Sequence, residues 1–222
     1  MSSPTRVVLV DDHQVLADAL ALLLRTQDDL EVLAIVPDAE KALRVVDETH
    51  PDVVVMDVDL PGMNGIAATR QVLKTYPETR VIVLTALMDP VVVEQAAAAG
   101  AIGFVSKQRA ADDLLGAIRA AARGEEVFRT GDLQRLWNGK VTAGERAGIL
   151  QLTSRELEVL QALADGLSTD EVASILFLSR RTVQGHVQGI LTKMQVRSKL
   201  EAVLHGLRKG LIRLKPTTSD PA

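Results

Sequence analysis

Short, continuous apolar runs alternate with amphipathic stretches through the first 125 residues, and the alternation stops there. The runs at 6–10 (RVVLV), 31–35 (EVLAI), 53–56 (VVVM), 81–84 (VIVL) and 102–105 (IGFV) are too short for helices and rich in β-branched residues. They predict strands buried on both faces. Helical patterns lie between them, near 14–26, 39–49, 65–76, 90–99 and 110–123. In the first of these Leu16, Leu20, Leu23 and Leu24 fall at helical spacing, giving one apolar stripe for a sheet. Strand and helix alternating five times predict a doubly wound α/β domain on a five-stranded parallel sheet, over residues 1–123.

Residues 124–150 lose this rhythm, carry glycines at 124, 131, 139, 144 and 148, and read as a linker. Leu133, Leu136 and Trp137 would make a short helix within it, and Trp137, the single tryptophan, would report motion between domains. From 151 to 215 the pattern is helical throughout, and the PTTSDPA tail at 216–222 is expected to be disordered.

Two capping boxes open the helical half, Thr153 with Glu156 and Ser168 with Glu171. The first helix, 154–165, should end on a left-handed Gly166, and the second runs from 169 to about 176 with Val172, Ile175 and Leu176 as its core stripe. Phe177 and Leu178 make a turn, and Ser179 caps a third helix. That helix sets Val183, Val187, Ile190, Leu191 and Met194 on one face and Arg181, Gly185, Gln188 and Thr192 on the other, with Gln184 at the flank. The order is helix, tight turn, helix, followed by a small helix over 199–209. Ala202, Val203 and Leu207 line one side of the last helix, where they either pack on the first helix or pair two subunits.

Charge sharpens the division. Residues 1–125 hold 11 Lys+Arg against 19 Asp+Glu, whereas 179–215 hold nine Lys+Arg and one acid, Glu201. A basic segment behind an acidic half suits a nucleic-acid partner for the second domain. The outer face of the third helix can enter a major groove: glutamines read adenine edges there, while Arg180, Arg181, Lys193 and Lys199 meet phosphates. The chain has no cysteine, which excludes disulfides, thiolate metal sites and a cysteine nucleophile. His13, His50, His186 and His205 show no metal-ligand spacing. No apolar run approaches the length of a membrane span, so the protein is expected to be soluble and cytoplasmic, with no membrane partner.

The candidate chemistry lies at strand ends. Asp11 and Asp12 end the first strand, Asp57 the third; Thr85 follows the fourth and Lys107 the fifth, so a parallel sheet collects all five at one edge. Three crowded carboxylates repel unless a cation joins them, and hard oxygen ligands of this kind suit Mg2+, which seeks phosphate oxygens. A metal-bound phosphoryl site follows. DVDLP at 57–61 also resembles the first motif of haloacid-dehalogenase-like phosphatases, with Asp59 as general acid, but those enzymes place their acidic pair late in the chain and here it comes first.

The acidic pair, VVVMDVDLPGMNG around Asp57, Thr85-Ala86 and GAIGFVSK ending at Lys107 resemble the receiver domain of two-component response regulators over residues 5–123. The resemblance implies that Asp57 accepts a phosphoryl group from a cognate sensor histidine kinase. It implies a Mg2+ bound by Asp12 directly, Asp11 through water, Asp57 and the Asp59 backbone carbonyl. Lys107 and Thr85 would hold phosphoryl oxygens, and Phe104 would be a switch aromatic that turns inward with Thr85. Pro61, Gly62 and Gly65 would only shape the loop. The segment LTSRELEVLQALADGLSTDEVASILFLSRRTVQGHVQGILTKMQVRSKLEAV resembles the LuxR-type, or NarL/FixJ-type, DNA-binding domain. By that resemblance Gln184, Gly185 and Gln188 face bases of double-stranded DNA, Thr182 and Lys199 touch its backbone, and the last helix pairs subunits of a homodimer on an inverted repeat. His186 would pack or bond to backbone. Many relatives carry lysine where this chain has Gln184 and Gln188, and Gly185 and Gly189 each cost about 1 kcal/mol of helix propensity relative to Ala.

Overall fold

A computed structural model describes residues 3–86, 88–128, 133 and 152–214. Within it the chain forms two compact units that divide between Val127 and Phe128. The first unit runs β1 (Thr5–Val10), α1 (Gln14–Arg25), β2 (Leu30–Val36), α2 (Ala39–Thr49), β3 (Val53–Asp57), α3 (Gly65–Thr75), β4 (Arg80–Thr85), α4 (Pro90–Ala99), β5 (Gly103–Ser106) and α5 (Ala110–Ala122). All strand pairs are parallel, in the order β2-β1-β3-β4-β5.

Successive residues of each strand feed opposite faces, so two cores form. Val7, Leu9, Val53, Val55, Ile82 and Leu84 pack with Leu20 and Leu24 of α1 and Leu114 and Ile118 of α5. The intervening Val8, Val10, Val54 and Met56 pack with Ala42 and Val46 of α2 and Ala68 and Val72 of α3. Side chains of Asp38, Asn64 and Asp89 cap α2, α3 and α4, and Pro90 opens α4, where its missing N–H costs nothing.

Two expectations change. The second strand is buried at its ends but only half-buried or exposed between, because β2 is an edge strand that pairs with β1 alone. The first unit also does not end at 123. Val127 returns to β5, where its N–H donates to the Ile102 carbonyl at 3.2 Å and its carbonyl accepts from the Phe104 N–H at 2.8 Å. Gly103 permits the approach, since a Cβ there would lie 1.9 Å from the Val127 carbonyl oxygen. The expected linker therefore begins beyond Val127. Of the Leu133, Leu136 and Trp137 segment only Leu133 falls among the described residues, and it is buried; Trp137 and the 216–222 tail lie outside them.

The second unit holds α6 (Ser154–Ala164), α7 (Thr169–Ile175), α8 (Arg180–Met194) and α9 (Lys199–Arg208). Both capping boxes form, and Gly166 adopts a left-handed φ of 82° after α6. Val159, Leu160, Leu163, Val172, Val183, Val187, Ile190 and Met194 make the core. The α7 stripe differs from expectation: Val172 and Ala173 are buried, whereas Ile175 is 56% exposed. The turn explains it, because Leu178 N–H bonds back to the Ala173 carbonyl and draws the chain away before Ile175 can face inward. Phe177 in that turn has a left-handed φ of 53° and is 95% exposed.

Candidate functional site

The carboxyl ends of β1, β3 and β5 bring Asp11, Asp57 and Lys107 together. Asp57 is fully buried and Asp11 nearly so. Lys107 Nζ donates to Asp57 Oδ2 at 2.7 Å and to Asp11 Oδ1 at 3.0 Å, joining residues of three strand ends through one ammonium. The Asp59 N–H donates to Asp57 Oδ1 at 3.2 Å. Behind Asp57 the backbone is crowded: a Cβ on Gly65 would fall 1.7 Å from the Asp57 carbonyl oxygen, so the start of α3 sits where only glycine fits. Gly62 turns the same loop with a φ of 76°.

Electrostatics follow from this burial. Loss of water pushes the Asp57 carboxyl above its ordinary range, and the Lys107 ammonium opposes that shift without cancelling it. Burial alone would lower the Lys107 ammonium, but its bonds to Asp57 and Asp11 outweigh that and hold it above its ordinary value. Thr85, at the end of β4, is buried and lies in register with Ser106, the residue before Lys107. Phe104 is buried on β5.

Cation-binding capacity rests on two observations. Ligand atoms of Asp11, Asp12, His13 and Asp57 all lie within 4.8 Å of one another. Asp11 Oδ2 is buried with no hydrogen-bond partner among the described residues, an acceptor that a metal or its water would satisfy. The residues present therefore fit a hard divalent ion. Spacing did not single out His13; its position directly after the acidic pair was the available signal.

On the second unit, Arg180, Arg181, Thr182, Gln184, Gly185 and Gln188 are exposed on α8. Arg180 pairs with Asp170 at 3.2 Å across the exposed surface, and Thr182 is tied to the Ser179 cap. Lys199, partly buried, opens α9. His186 is half-buried on α8.

Two expectations are corrected. Lys193 is not a free phosphate contact: its ammonium donates to both oxygens of Glu156, at 2.8 and 2.7 Å, because a carboxylate only 5% exposed needs a counter-charge. Ala202, Val203 and Leu207 are buried within the unit's own core, so their side chains supply packing and are unavailable as a dimer surface. Gly189 also gains a purpose that propensity hides, since a Cβ there would lie 2.8 Å from Glu156 Oε1. Glu156 was legible as a cap, but its partner Lys193 is 37 residues away and was not.

Comparison with known families separates the same two units. Residues 7–119 match the response regulator receiver domain, and residues 150–205 match the bacterial regulatory proteins of the luxR family. The chain belongs to the luxR-family response regulators. This response regulator is 34% identical over 212 residues to an uncharacterized transcriptional regulatory protein, YxjL, of Bacillus subtilis, covering 94% of this chain and 97% of that one. It is likewise 34% identical over 208 residues to the transcriptional regulatory protein LiaR of the same organism, covering 93% and 99%. Among solved structures, one of two RcsB dimers bound to two parallel DNAs shares the fold, with a TM-score of 0.57, 23% identity, and coverage of 91% of this chain and 98% of that one. This response regulator thus joins a receiver to a LuxR-type helix-turn-helix, in a family of transcriptional regulators.

Proposed function

We propose that this response regulator takes a phosphoryl group on Asp57 from the phosphohistidine of a cognate sensor kinase and regulates transcription by binding DNA as a dimer. The observation that carries the reading is Lys107 held 2.7 Å from Asp57 Oδ2 and 3.0 Å from Asp11 Oδ1. In the transfer an Asp57 oxygen bonds phosphorus as the phosphorus–nitrogen bond breaks, and the imidazole leaves. Such in-line displacement needs position and charge neutralisation more than covalent help. Lys107 supplies a cation for a phosphoryl oxygen, and the Thr85 hydroxyl, at the neighbouring strand end, a hydrogen bond for another. Asp12, Asp11, Asp57 and the Asp59 carbonyl would hold Mg2+, which supplies further neutralisation of the transferring oxygens. Phe104 is the side chain proposed to sense Thr85, through its place on β5, the strand paired with β4 that leads into Lys107.

In the second unit Gln184, Gly185 and Gln188 would face bases while Arg180, Arg181, Thr182 and Lys199 meet the backbone of an inverted-repeat operator. The RcsB dimers on DNA support a two-fold arrangement. The protein would act in the cytoplasm, where kinase and DNA meet, and its only catalysis would be its own phosphorylation and dephosphorylation; among the described residues no helix is long and apolar enough to cross a membrane. Radiolabelled phosphotransfer from acetyl phosphate tests the first half. Label should enter the wild type with Mg2+ present and not Asp57→Asn. Selection of bound DNA from a random pool, repeated with and without phosphodonor, tests the second; a symmetric site enriched only with phosphodonor is expected, and label on another residue would end the reading.

A further inference from the structure

The acidic pocket contains a side chain that the phosphoacceptor reading leaves without a task. His13 occupies the cap position before α1, where Ser, Thr, Asp or Asn would ordinarily accept a bond from the helix, yet its ring makes no capping bond. Its ring instead turns to the carboxylates. Nδ1 lies 2.8 Å from Asp12 Oδ1 and 3.3 Å from Asp11 Oδ1, while the His13 backbone N–H donates to Asp11 Oδ1 at 2.9 Å. Lys107 Nζ is 3.4 Å from the same Nδ1, so the imidazole, both acids and the ammonium share one mouth. The ring is 66% exposed and free to swing by a rotamer, unlike the packed Asp57.

Three carboxylates and one ammonium leave two negative charges, which matches a divalent ion. Oxygen alone suits Mg2+ and Mn2+, whereas an imidazole nitrogen suits borderline ions such as Co2+ and Ni2+. Asp11 Oδ2, buried without a partner among the described residues, is an independent sign that the cluster is shaped to receive something further.

Resting on the reading of this pocket as a divalent-cation site, we propose that His13 Nδ1 is a ligand in it for borderline divalent ions, making the receiver selective for Co2+ or Ni2+ relative to Mg2+. A departure from capping preference at a functional edge is where such a role is expected. Mg2+ is satisfied by oxygen ligands alone, so the ring adds a choice of ion and leaves the Mg2+ chemistry in place.

The test is Co2+ binding to the full chain followed by low-temperature electron paramagnetic resonance, with Mg2+ affinity measured by competition. In the wild type, bound Co2+ should show modulation from a coordinated nitrogen. His13→Ala should lose that signal and at least about tenfold in Co2+ affinity, since even outer partners of a metal ligand cost that much. Mg2+ affinity should change by less than about twofold, because that ion takes oxygen ligands. His13→Asn keeps a polar group beside Asp12 but no imidazole, and should behave as His13→Ala. Retention of Co2+ affinity in His13→Asn, or bound Co2+ with no nitrogen coupling in the wild type, would show that His13 only orients Asp12 and would overturn the proposal while leaving the cation site intact. If neither ion binds the wild type, the pocket is no cation site and both readings fall. Circular dichroism of each variant separates these outcomes from misfolding.

Discussion

The Lys193 ammonium on α8 grips both oxygens of Glu156 at the first turn of α6, at 2.8 and 2.7 Å, and the same carboxylate accepts the Thr153 N–H at 2.6 Å. One side chain therefore caps a scaffold helix and fixes the pose of α8, the helix proposed to meet DNA.

Removing Lys193 should destabilise the second unit. Lys193→Ala leaves a nearly buried carboxylate short of donors, with an expected loss of about 1–3 kcal/mol in urea unfolding. Burial tends to raise the Glu156 carboxyl, but Lys193 and Thr153 outweigh it and hold it below its ordinary 4.5. A lowered folded-state value means the contribution is complete above pH 4.5 and disappears as pH falls through the lowered value. Wild type and Glu156→Gln should therefore converge in stability at acid pH. A gap that stays constant from neutrality into acid would contradict the linkage.

Asp57 has the opposite sign. Burial raises its folded-state value above 3.8, so the carboxylate burdens the fold increasingly as pH rises through the raised value. Asp57→Asn should melt a few degrees higher than wild type near neutral pH, and the two should coincide below pH 3.8. Mg2+ at ten times its dissociation constant should stabilise the wild type by about 1.4 kcal/mol, and less in Asp12→Ala. Equal midpoints at neutral pH, with and without Mg2+, would contradict both.

Gly65 should not tolerate alanine. Its new methyl would enter the Asp57 carbonyl, 1.7 Å away, and backbone cannot retreat as a side-chain tip can. Gly65→Ala is expected to lower stability by at least about 1–3 kcal/mol and to slow phosphorylation from acetyl phosphate. Gly185→Ala, with open space around it, should firm up α8 by about 1 kcal/mol instead.

Base-facing and phosphate-facing residues separate by salt dependence. Arg181→Ala should weaken all DNA sequences alike and reduce the slope of log affinity against log salt by about 0.9. Gln188→Ala should leave the slope and cost about 1–3 kcal/mol of preference at one base pair. Identical behaviour of the two variants would place neither in its proposed role.

Much of this was legible because each signal was local or followed from topology. Periodicity located β1 through β5, and the rule that parallel strands present their carboxyl ends together was enough to join Asp11, Asp57 and Lys107. The misses share a cause. A helical stripe such as Ala202, Val203 and Leu207 looks the same whether it meets its own core or a second subunit, and only the packed fold separates the two. Lys193 reads as a surface cation until Glu156 is placed beside it. Ile175 is apolar at helical spacing, but the turn geometry set by Leu178 and Ala173 decides which way α7 faces. Val127 carries no strand pattern at all; its bridge exists because β5 had an unpaired edge.

That bridge bears on aggregation. With Val127 laid along β5, unpaired backbone is withheld from neighbouring molecules on that side, and β2 is left as the margin where a foreign strand could add. A receiver cut after residue 123 would bare both margins and could stack sheet upon sheet without end, so turbidity on standing should distinguish it from one cut after residue 128, which keeps a one-sided, self-limiting sheet.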